Sequence, residues 1–511
     1  MGGMTIRAKD LPRTFNIATH FLDGTDPART ALLTSAGPVR YGRIQALANQ
    51  VGHVLRGLGV RRGDRVLLAL GDGVESVAAW YGVQKIGAVT AEVYTYLQPQ
   101  EYRFFAEYAR PAVVVADGFT LDRLRAAGVR DLLVVGVPKE GLREGEHHFE
   151  SLTAAAPTEL EAAPTTPDDV AMWRFTTGST GKPKACVLAA RSAALSMEWF
   201  AGGVLDLGPD DIVLPVPKLF FGYANNITAL FPFRVGAAGV VFPERSTPER
   251  IFELIAEHRP TILVNVPTMM SAMLAHPEAA RQDLSSLRVC ISAGEALPLE
   301  LHRRWLETFG VEVMDGIGSS EMFHGYVCNR LGEVRMGTLG RAVPGYDVRV
   351  VDEHGVPLPD GEVGRLEITG ETAALEYWQD PEKTAATFVA PDTVRSADLF
   401  SRDEDGYFTF RGRADDLLKV AGKWIAPSEI ENCLLTHPAV VECAVTGFEH
   451  DGLTLLRAYV VARGGTTAQE LRDHVRSLLS PHKCPKEVRL VDALPQTASG
   501  KINRRALTAA H

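Results

Sequence analysis

Cysteine is scarce and scattered in this chain of 511 residues: six in all, at 186, 290, 328, 433, 443 and 484, with no CxxC pair. That density excludes a disulfide-stapled secreted scaffold and points to unpaired thiols in a reducing compartment. Positive charge is short as well. Lys and Arg number 53 against 63 Asp and Glu, a formal net charge of −10, and no long Lys/Arg run occurs. A whole-chain footprint for nucleic acid is thereby excluded, although cations can still be focused at a small-molecule site. No apolar run approaches the ~18 residues of a membrane span. The opening MGGMTIRAKDLPRTFNIATHF lacks a charged–apolar–small signal pattern, and Ile6 stands where myristoylation wants Ser or Thr. The expectation is a soluble cytoplasmic protein that binds neither nucleic acid nor membrane. Fixed-period repeats and low-complexity segments are also missing.

What is present is ordinary globular composition, 46% hydrophobic and 23% charged, in a chain too long for one small core. The first two-fifths alternates helix-period and strand-like segments. Tyr41 to Leu58 puts Ile44, Leu47, Val51, Val54 and Leu55 on one face; VLLAL (66–70), a helical stretch from Val74 to Ile86, and AVTAEV (88–93) follow. Tyr102 to Tyr108 then AVVVA (112–116), Arg250 to Glu257 then TILVNV (261–266), and Leu301 to Phe309 then VEVMD (311–315) repeat the pattern. Such alternation predicts an α/β fold of parallel sheets covered by helices. After Arg413 the texture changes. Ser428 and Glu431 read as a capping box opening a helix, VVECAVTGF (440–448) and LTLLRAYVVAR (453–463) as a hairpin, Ala468 to Leu479 as a helix and KEVRLV (486–491) as a strand. A small α+β unit is expected, with its boundary near Asp415.

The densest chemistry lies in TTGSTGKPK (176–184), behind the strand-like VAMWRF (170–175). Gly178 and Gly181 let backbone N–H groups converge. Thr176, Thr177, Ser179 and Thr180 supply hydroxyls, and Lys182 and Lys184 supply charge, which together suit a phosphate cradle. The spacing is not that of a Walker A loop, since no Ser or Thr follows Lys182, nor of a G-x-G-x-x-G dinucleotide fingerprint.

TTGSTGKPK resembles the signature of the adenylate-forming superfamily of acyl-CoA synthetases, luciferases and peptide-synthetase adenylation domains. Four further segments resemble its motifs in order: SAGEALP (292–298), DGIGSSE (315–321), GRADDLLKVAGKWIAPSEIE (412–431) and LPQTASGKINR (494–504). Within the superfamily KLFFGYANN (218–226), DGIGSSEMFHGYVCN (315–329) and GTLGRAVPGYDVRVVD (337–352) are similar to the benzoate-CoA ligase branch. The resemblance implies a large N-terminal domain (1–414) of parallel-rich sheets covered by helices plus a β-barrel-like subdomain. It also implies a small mobile α+β C-terminal domain (415–511) hinged at Asp415.

The implied reaction has two steps: a carboxylate attacks the α-phosphorus of Mg-ATP, giving acyl-AMP and pyrophosphate, and a thiol then displaces AMP. Lys501 matches the adenylation lysine, a point charge for carboxylate and phosphate oxygens. Glu321, preceded by Ser320 where Thr is more usual, matches the residue holding Mg²⁺. Asp398 matches the ribose-binding aspartate, beside Ala397 in place of the usual Gly, and Arg413 supports ribose or phosphate. Gly294, Glu295 and Ala296 with Asp315, Gly316 and Ile317 fall where adenine is sandwiched, Asp315 facing its exocyclic amine. Gly422 and Lys423 would line the entrance of the coenzyme A thiol.

By the same resemblance the acyl pocket comprises Phe220, Phe221, Gly222, Tyr223, Asn265, Ala293, Gly318, Met322, His324 and Gly325. Aromatics with small residues suit a flat ring better than a chain. Gly325 is expected to open volume at the ring edge, and Asn265 and Asn226 to offer amides to a hydroxyl or amino substituent. The implied activity is an ATP-dependent ligation of a substituted benzoate to CoA. A stand-alone adenylating enzyme passing the acyl group to a carrier protein or an amine, and a non-catalytic nucleotide-binding scaffold, are the competing readings. A homodimer is compatible with either.

Overall fold

The computed structural model describes residues 5–177, 183–413, 418–420, 423–450, 453–495 and 502–509. Two large mixed sheets form its body. One has eight strands, with Val170–Thr177, Val89–Glu92, Arg65–Ala69, Val113–Asp117, Leu132–Val135 and Glu146–His148 running parallel, and Pro183–Ala189 and Glu376–Tyr377 antiparallel at one edge. The other has nine, with parallel strands including Ile212–Pro215, Ile262–Asn265, Val289–Ser292 and Val313–Gly318 at its centre. These strands are near-continuous Val/Ile/Leu runs because both faces are covered, as parallel sheets require.

Helices fill the space between and outside the sheets. Tyr41–Gly57 and Val74–Lys85 pack on each other, the first burying Ile44, Leu47, Val51, Val54 and Leu55, the face its periodicity predicts. The helix Leu299–Phe309 places buried Trp305 against Phe309, ring centroids 4.7 Å apart. A third, antiparallel sheet of Asp347–Val351, Val363–Thr369, Thr393–Arg402, Phe388–Ala390 and Phe408–Arg413 curls alongside, its Val363–Thr369 strand alternating exposed and buried residues.

Beyond it lies a small unit with its own core of Ile430, Leu434, Val445, Leu456, Val460, Leu471 and Val475. The expected hairpin is there, Val440–His450 against Leu453–Ala462, and Glu487–Leu490 joins it in parallel. The capping box is not. The helix runs Pro427–Leu435 with Pro427 at its first turn and Ser428 inside it, and no side chain caps it. Pro is pre-organised for that position, and the Glu431 carboxylate instead accepts from Val445 N (2.7 Å) and pairs with Arg504. The unit touches the large body at the helix Pro267–Ala275: Ser271 Oγ donates to Val441 O, and Arg463 to Ala275 O. Among the described residues no helix is long and apolar enough to cross a membrane.

Candidate active site

The candidate residues gather at the carboxyl ends of the parallel strands, where open α/β sheets place their ligands. Asn265 ends Ile262–Asn265, Ala293–Ala296 follow Val289–Ser292, and Asp315–Gly318 close Val313–Gly318. Gly294 takes a left-handed turn (φ +87°), and Gly294, Ala296 and Gly318 are exposed. Gly318 must be glycine, because a Cβ there would lie 2.6 Å from His324 O. Glu295 folds back onto the first turn of the preceding helix, Pro267–Ala275, its Oε2 accepting from Thr268 N (2.9 Å) and Oγ1 (2.8 Å). Only the backbone of 294–296 is thus left for a flat ligand. Asp315 is buried, which pushes its carboxyl up to about 8, and its Oδ1 has no hydrogen-bond partner among the described residues.

The strands Val170–Thr177 and Pro183–Ala189 pair up to Thr177 and Pro183, so 178–182 is their connection. Gly178, Ser179, Thr180, Gly181 and Lys182 lie outside the described residues, as do Asp415, Gly422 and Lys501, while Arg413 and Lys423 are described by backbone alone. At the mouth of that hairpin Lys184 Nζ sits 3.7 Å from Asp380 and 5.4 Å from the Tyr377 ring. Tyr377 Oη in turn donates to Glu321 Oε1 at 2.7 Å. Glu321 also stands beside Cys186, whose thiol is held well above its ordinary value by burial and by that carboxylate. Tyr326 feels the charges of both Asp398 and Glu321, and Asp398 pairs in register with Arg413. Ser320 opens the short helical turn that carries Glu321.

The acyl side is aromatic. Phe323 adopts φ +69°, ψ −44°, and His324 N donates to Met322 O at 2.8 Å. That is a classical γ-turn, rare and strained for a bulky residue, and it turns His324 inward, where only 5% of it is exposed. Phe200 and Phe231 meet the imidazole edge-on at 4.5 and 5.1 Å, and Tyr223 lies 6.4 Å away. Gly325 does not open volume at the ring edge: Phe200 Cε2 lies 3.0 Å from where a Cβ would stand, so that ring fills the space. Nor are the two amides open. Asn265 Oδ1 accepts from Val266 N, starting the next helix, and its Nδ2 faces Met273 Sδ at 3.7 Å. Tyr223 Oη is spent on the carbonyls of Asn265 and Ile291. Phe220 and Phe221 meet at a tilt, ring centroids 4.2 Å apart, on the loop anchored by Asp72, which accepts from Leu219 N.

Asn226 belongs to a buried network that sequence reasoning missed. Arg174, 4% exposed, lies 3.3 Å from Glu92 Oε1, and its Nη2 donates to Asn226 Oδ1 at 3.1 Å. Arg has no acceptor, so the Asn226 amide must turn its NH₂ to Phe323 O and His324 Nδ1, each at 3.3 Å. His324 Nδ1 is therefore the acceptor and Nε2 carries the proton. Burial first, and the Arg174 charge second, hold its pKa at about 3. The unfolded chain takes up a proton near pH 6.5 that the folded pocket refuses, so this group removes stability as pH falls from 6.5 toward 3. We expect ¹⁵N NMR to show His324 as a single neutral Nε2–H tautomer from pH 9 down to about 4.5; a shift titrating near 6.5 would contradict it.

Exposed backbone for a flat nucleotide and a carboxylate beside the glycine–lysine hairpin, with a cluster of aromatic rings close by, suit an adenylate-forming enzyme of the AMP-forming acid–thiol ligase class. The comparisons agree: the chain belongs to the AMP-binding enzyme family, which matches residues 23–378, with its C-terminal domain at 429–501. It is 39% identical over 495 residues to a benzoate–CoA ligase of Thauera aromatica, covering 94% of this chain and 93% of that one. A 4-hydroxybenzoate–CoA/benzoate–CoA ligase of Rhodopseudomonas palustris is 35% identical over 513 residues, 97% and 94% of the two chains. Among solved structures, the anthranilate CoA ligase AuaEII in complex with anthranoyl-AMP superposes with a TM-score of 0.94 at 36% identity, covering 99% of each chain.

Proposed function

We propose that this enzyme is an ATP-dependent aryl-CoA ligase acting on a benzoate that carries a hydroxyl or amino substituent. The observation that carries the reading is the ring packing: Phe200, Phe231 and Tyr223 gather around the buried His324, and Phe200 fills the space beside Gly325. Aromatic walls with small residues suit a planar ring better than a fatty chain.

In the first step a carboxylate oxygen bonds to the α-phosphorus of ATP as the bond from that phosphorus to its bridging oxygen breaks, releasing pyrophosphate. In the second, the sulfur of CoA, having lost its proton, bonds to the acyl carbon and AMP leaves with the mixed-anhydride electron pair. The protein's work is positioning and charge neutralisation. The backbone of Gly294, Glu295 and Ala296 would pack on adenine from one side and Gly316 and Ile317 from the other, with Asp315 Oδ1 accepting from the exocyclic amine. Asp398 and Arg413 would hold the ribose, the 176–184 hairpin the phosphates, and Lys501 the oxygens between which charge moves. Among the described residues no cluster of three or more His, Cys, Asp or Glu could cage a metal. A single carboxylate fits Mg²⁺, which takes most of its shell from phosphates and water. Glu321 would hold it, and the ion would supply neutralisation of phosphate charge. We place the domain boundary at Asp415, about which the 415–511 unit would turn to bring Gly422 and Lys423 to the thiol's path.

The test is carboxylate-dependent ATP–pyrophosphate exchange over benzoate, its hydroxy and amino derivatives, and short and long fatty acids, with CoA then added to each acid that exchanges. Exchange with aryl acids, and thioester on adding CoA, is expected. Exchange without thioester moves the acceptor to a carrier protein or an amine, and exchange only with fatty acids overturns the aryl reading.

A further inference from the structure

Part of the ring cluster on the acyl side is delivered by one short turn of chain. After the strand Ile212–Pro215 the backbone reverses in a turn closed by Phe221 N donating to Lys218 O (3.0 Å), and Gly222 then starts the helical run that carries Tyr223 and Asn226. Packing holds this turn only in part. Phe220 meets Phe221 and Tyr94, ring centroids 4.2 and 5.0 Å away. Against Leu219 and Phe220, however, lies a cavity of about 30 Å³ lined also by Asp72, Ser76, Trp80 and Glu92. That is room for a water or two, and side chains that border a space lose the contacts a filled core would give them.

What ties the turn down is polar. Asp72, its side chain 6% exposed, lies just beyond the strand Arg65–Ala69 of the eight-stranded sheet, and both its oxygens accept from Leu219 N, at 3.1 and 3.2 Å. Lys218 brings Nζ to 4.0 Å from Asp72 Oδ2, donates to Phe242 O at 2.8 Å and sits 3.4 Å from the centroid of the Phe242 ring. Phe242 follows Ala238–Val240 of the nine-stranded sheet. The two charged groups thus fasten the turn to both sheets at once. Neither is well solvated in its charged form. Burial raises the Asp72 carboxyl to about 6 against the pull of Lys218 and the Leu219 N–H, and burial lowers the Lys218 ammonium to about 8. Lys218 is faced by Asp72, by Glu244 from the segment after Phe242 and by Arg250 from the helix Pro248–His258. The charge acting on Asp72 is that of Lys218, and Glu92 lines the same cavity.

We propose that Asp72 and Lys218 are positioning residues for the acid: together they hold the turn 218–221 so that Tyr223 meets the substrate's ring, and they do so only while both are charged. The inference rests on the aryl-acid reading above and deepens it by naming what keeps that wall in place. A protonated Asp72 accepts less strongly from Leu219 N and leaves the buried ammonium without a counter-charge. A neutral Lys218 leaves the buried carboxylate uncompensated beside the turn. Either event loosens the wall on the acid's side, whereas the backbone proposed for adenine, 294–296 and 316–317, belongs to other loops.

The experiment follows ATP–pyrophosphate exchange, which needs no CoA thiol, from about pH 5 to about pH 9 with either the aryl acid or ATP varied. It uses the wild type, D72N, K218M and D72N/K218M, each with a thermal melt. In the wild type kcat/KM for the acid should fall below about pH 6 and again above about pH 8, where one member of the pair loses its charge. D72N should lose the acid limb. K218M should lose the alkaline limb and move the acid limb upward, because the carboxyl is then left to its burial. At neutral pH each single variant should lower kcat/KM for the acid by about ten- to a hundredfold, mostly through KM for the acid, with KM for ATP changed less than about twofold. The double variant buries neither charge, so it serves where a single variant fails to fold; it should show the raised KM for the acid and neither limb. A merely structural pair would lower the melting temperature and leave the pH profile alone, which overturns the proposal. Limbs that persist in the double variant, or KM values for ATP and acid that rise together, overturn it too while leaving an aryl-CoA ligase standing. Exchange supported only by fatty acids overturns the aryl reading and this inference with it.

Discussion

Glu321→Gln should lower carboxylate-dependent ATP–pyrophosphate exchange by about 10²–10³-fold, the usual cost of removing one preorganised charge-stabilising group from a reacting centre, while leaving the fold nearly untouched. The side chain accepts a hydrogen bond from Tyr377 Oη at 2.7 Å and stands beside the Cys186 thiol, and a glutamine carbonyl oxygen can accept from the same donors. The backbone contact, Ala374 N to Glu321 O at 2.7 Å, is independent of the side chain. The substitution therefore removes a unit of negative charge beside the 176–184 hairpin and little else. Exchange assays at rising Mg²⁺, with a thermal melt of each protein, separate the outcomes. Loss of exchange with a higher Mg²⁺ requirement and an unchanged melting temperature places the carboxylate at the metal. Unaltered exchange would remove Glu321 from the phosphate site.

The framework of the protein was readable because its signals are local. Tyr41–Gly57 buries the face its period of 3.6 predicts, and the apolar runs at 66–70, 112–116 and 261–266 are strands buried on both faces. The hairpin of the small unit sits where two strand-like runs flank a turn. What failed was partnership across long stretches of chain. Ser428 and Glu431 have capping-box spacing, yet Val445 and Arg504, distant in sequence, claim the glutamate and Pro427 starts the helix. Asn226 and Asn265 read as open amides because a single sequence does not say what else needs them; Arg174 takes one and the Val266 amide the other. Gly325 read as space, and Phe200, 125 positions earlier, fills it. The one visible sign of the hidden network was a charge interrupting each of two buried apolar strands, Glu in AVTAEV and Arg in VAMWRF. Nothing in either strand says that the other lies beside it.

That juxtaposition carries the largest expected effect on stability. Arg174→Leu should destabilise the protein by about 3–5 kcal/mol, because breaking a buried pair leaves one charge without compensation. Burial already raises the Glu92 pKa against the opposing pull of Arg174. With the guanidinium gone the strongest opposing pull is lost, hydrogen bonds such as that from Trp80 alone offset the burial, and the carboxyl is driven further toward its protonated form. E92L/R174L should instead lie within about 1 kcal/mol of the wild type, since replacing both ions by apolar groups of similar volume is often neutral. Chemical denaturation of the four proteins in the cycle gives the coupling directly, and additive effects of the two single substitutions would mean that the pair does not interact. Arg174→Leu has a second consequence that packing alone would not produce. Asn226 Oδ1 loses its donor, and only the hydrogen bond from its Nδ2 to Phe323 O at 3.3 Å still orients the amide toward His324. The partner that fixes the imidazole proton on Nε2 is then held less firmly, and the same ¹⁵N spectrum that shows one tautomer in the wild type should show a minor second one. Stability and tautomer would thus change together in Arg174→Leu, whereas Glu92→Leu, which leaves the Arg174–Asn226 bond in place, should destabilise without disturbing the tautomer.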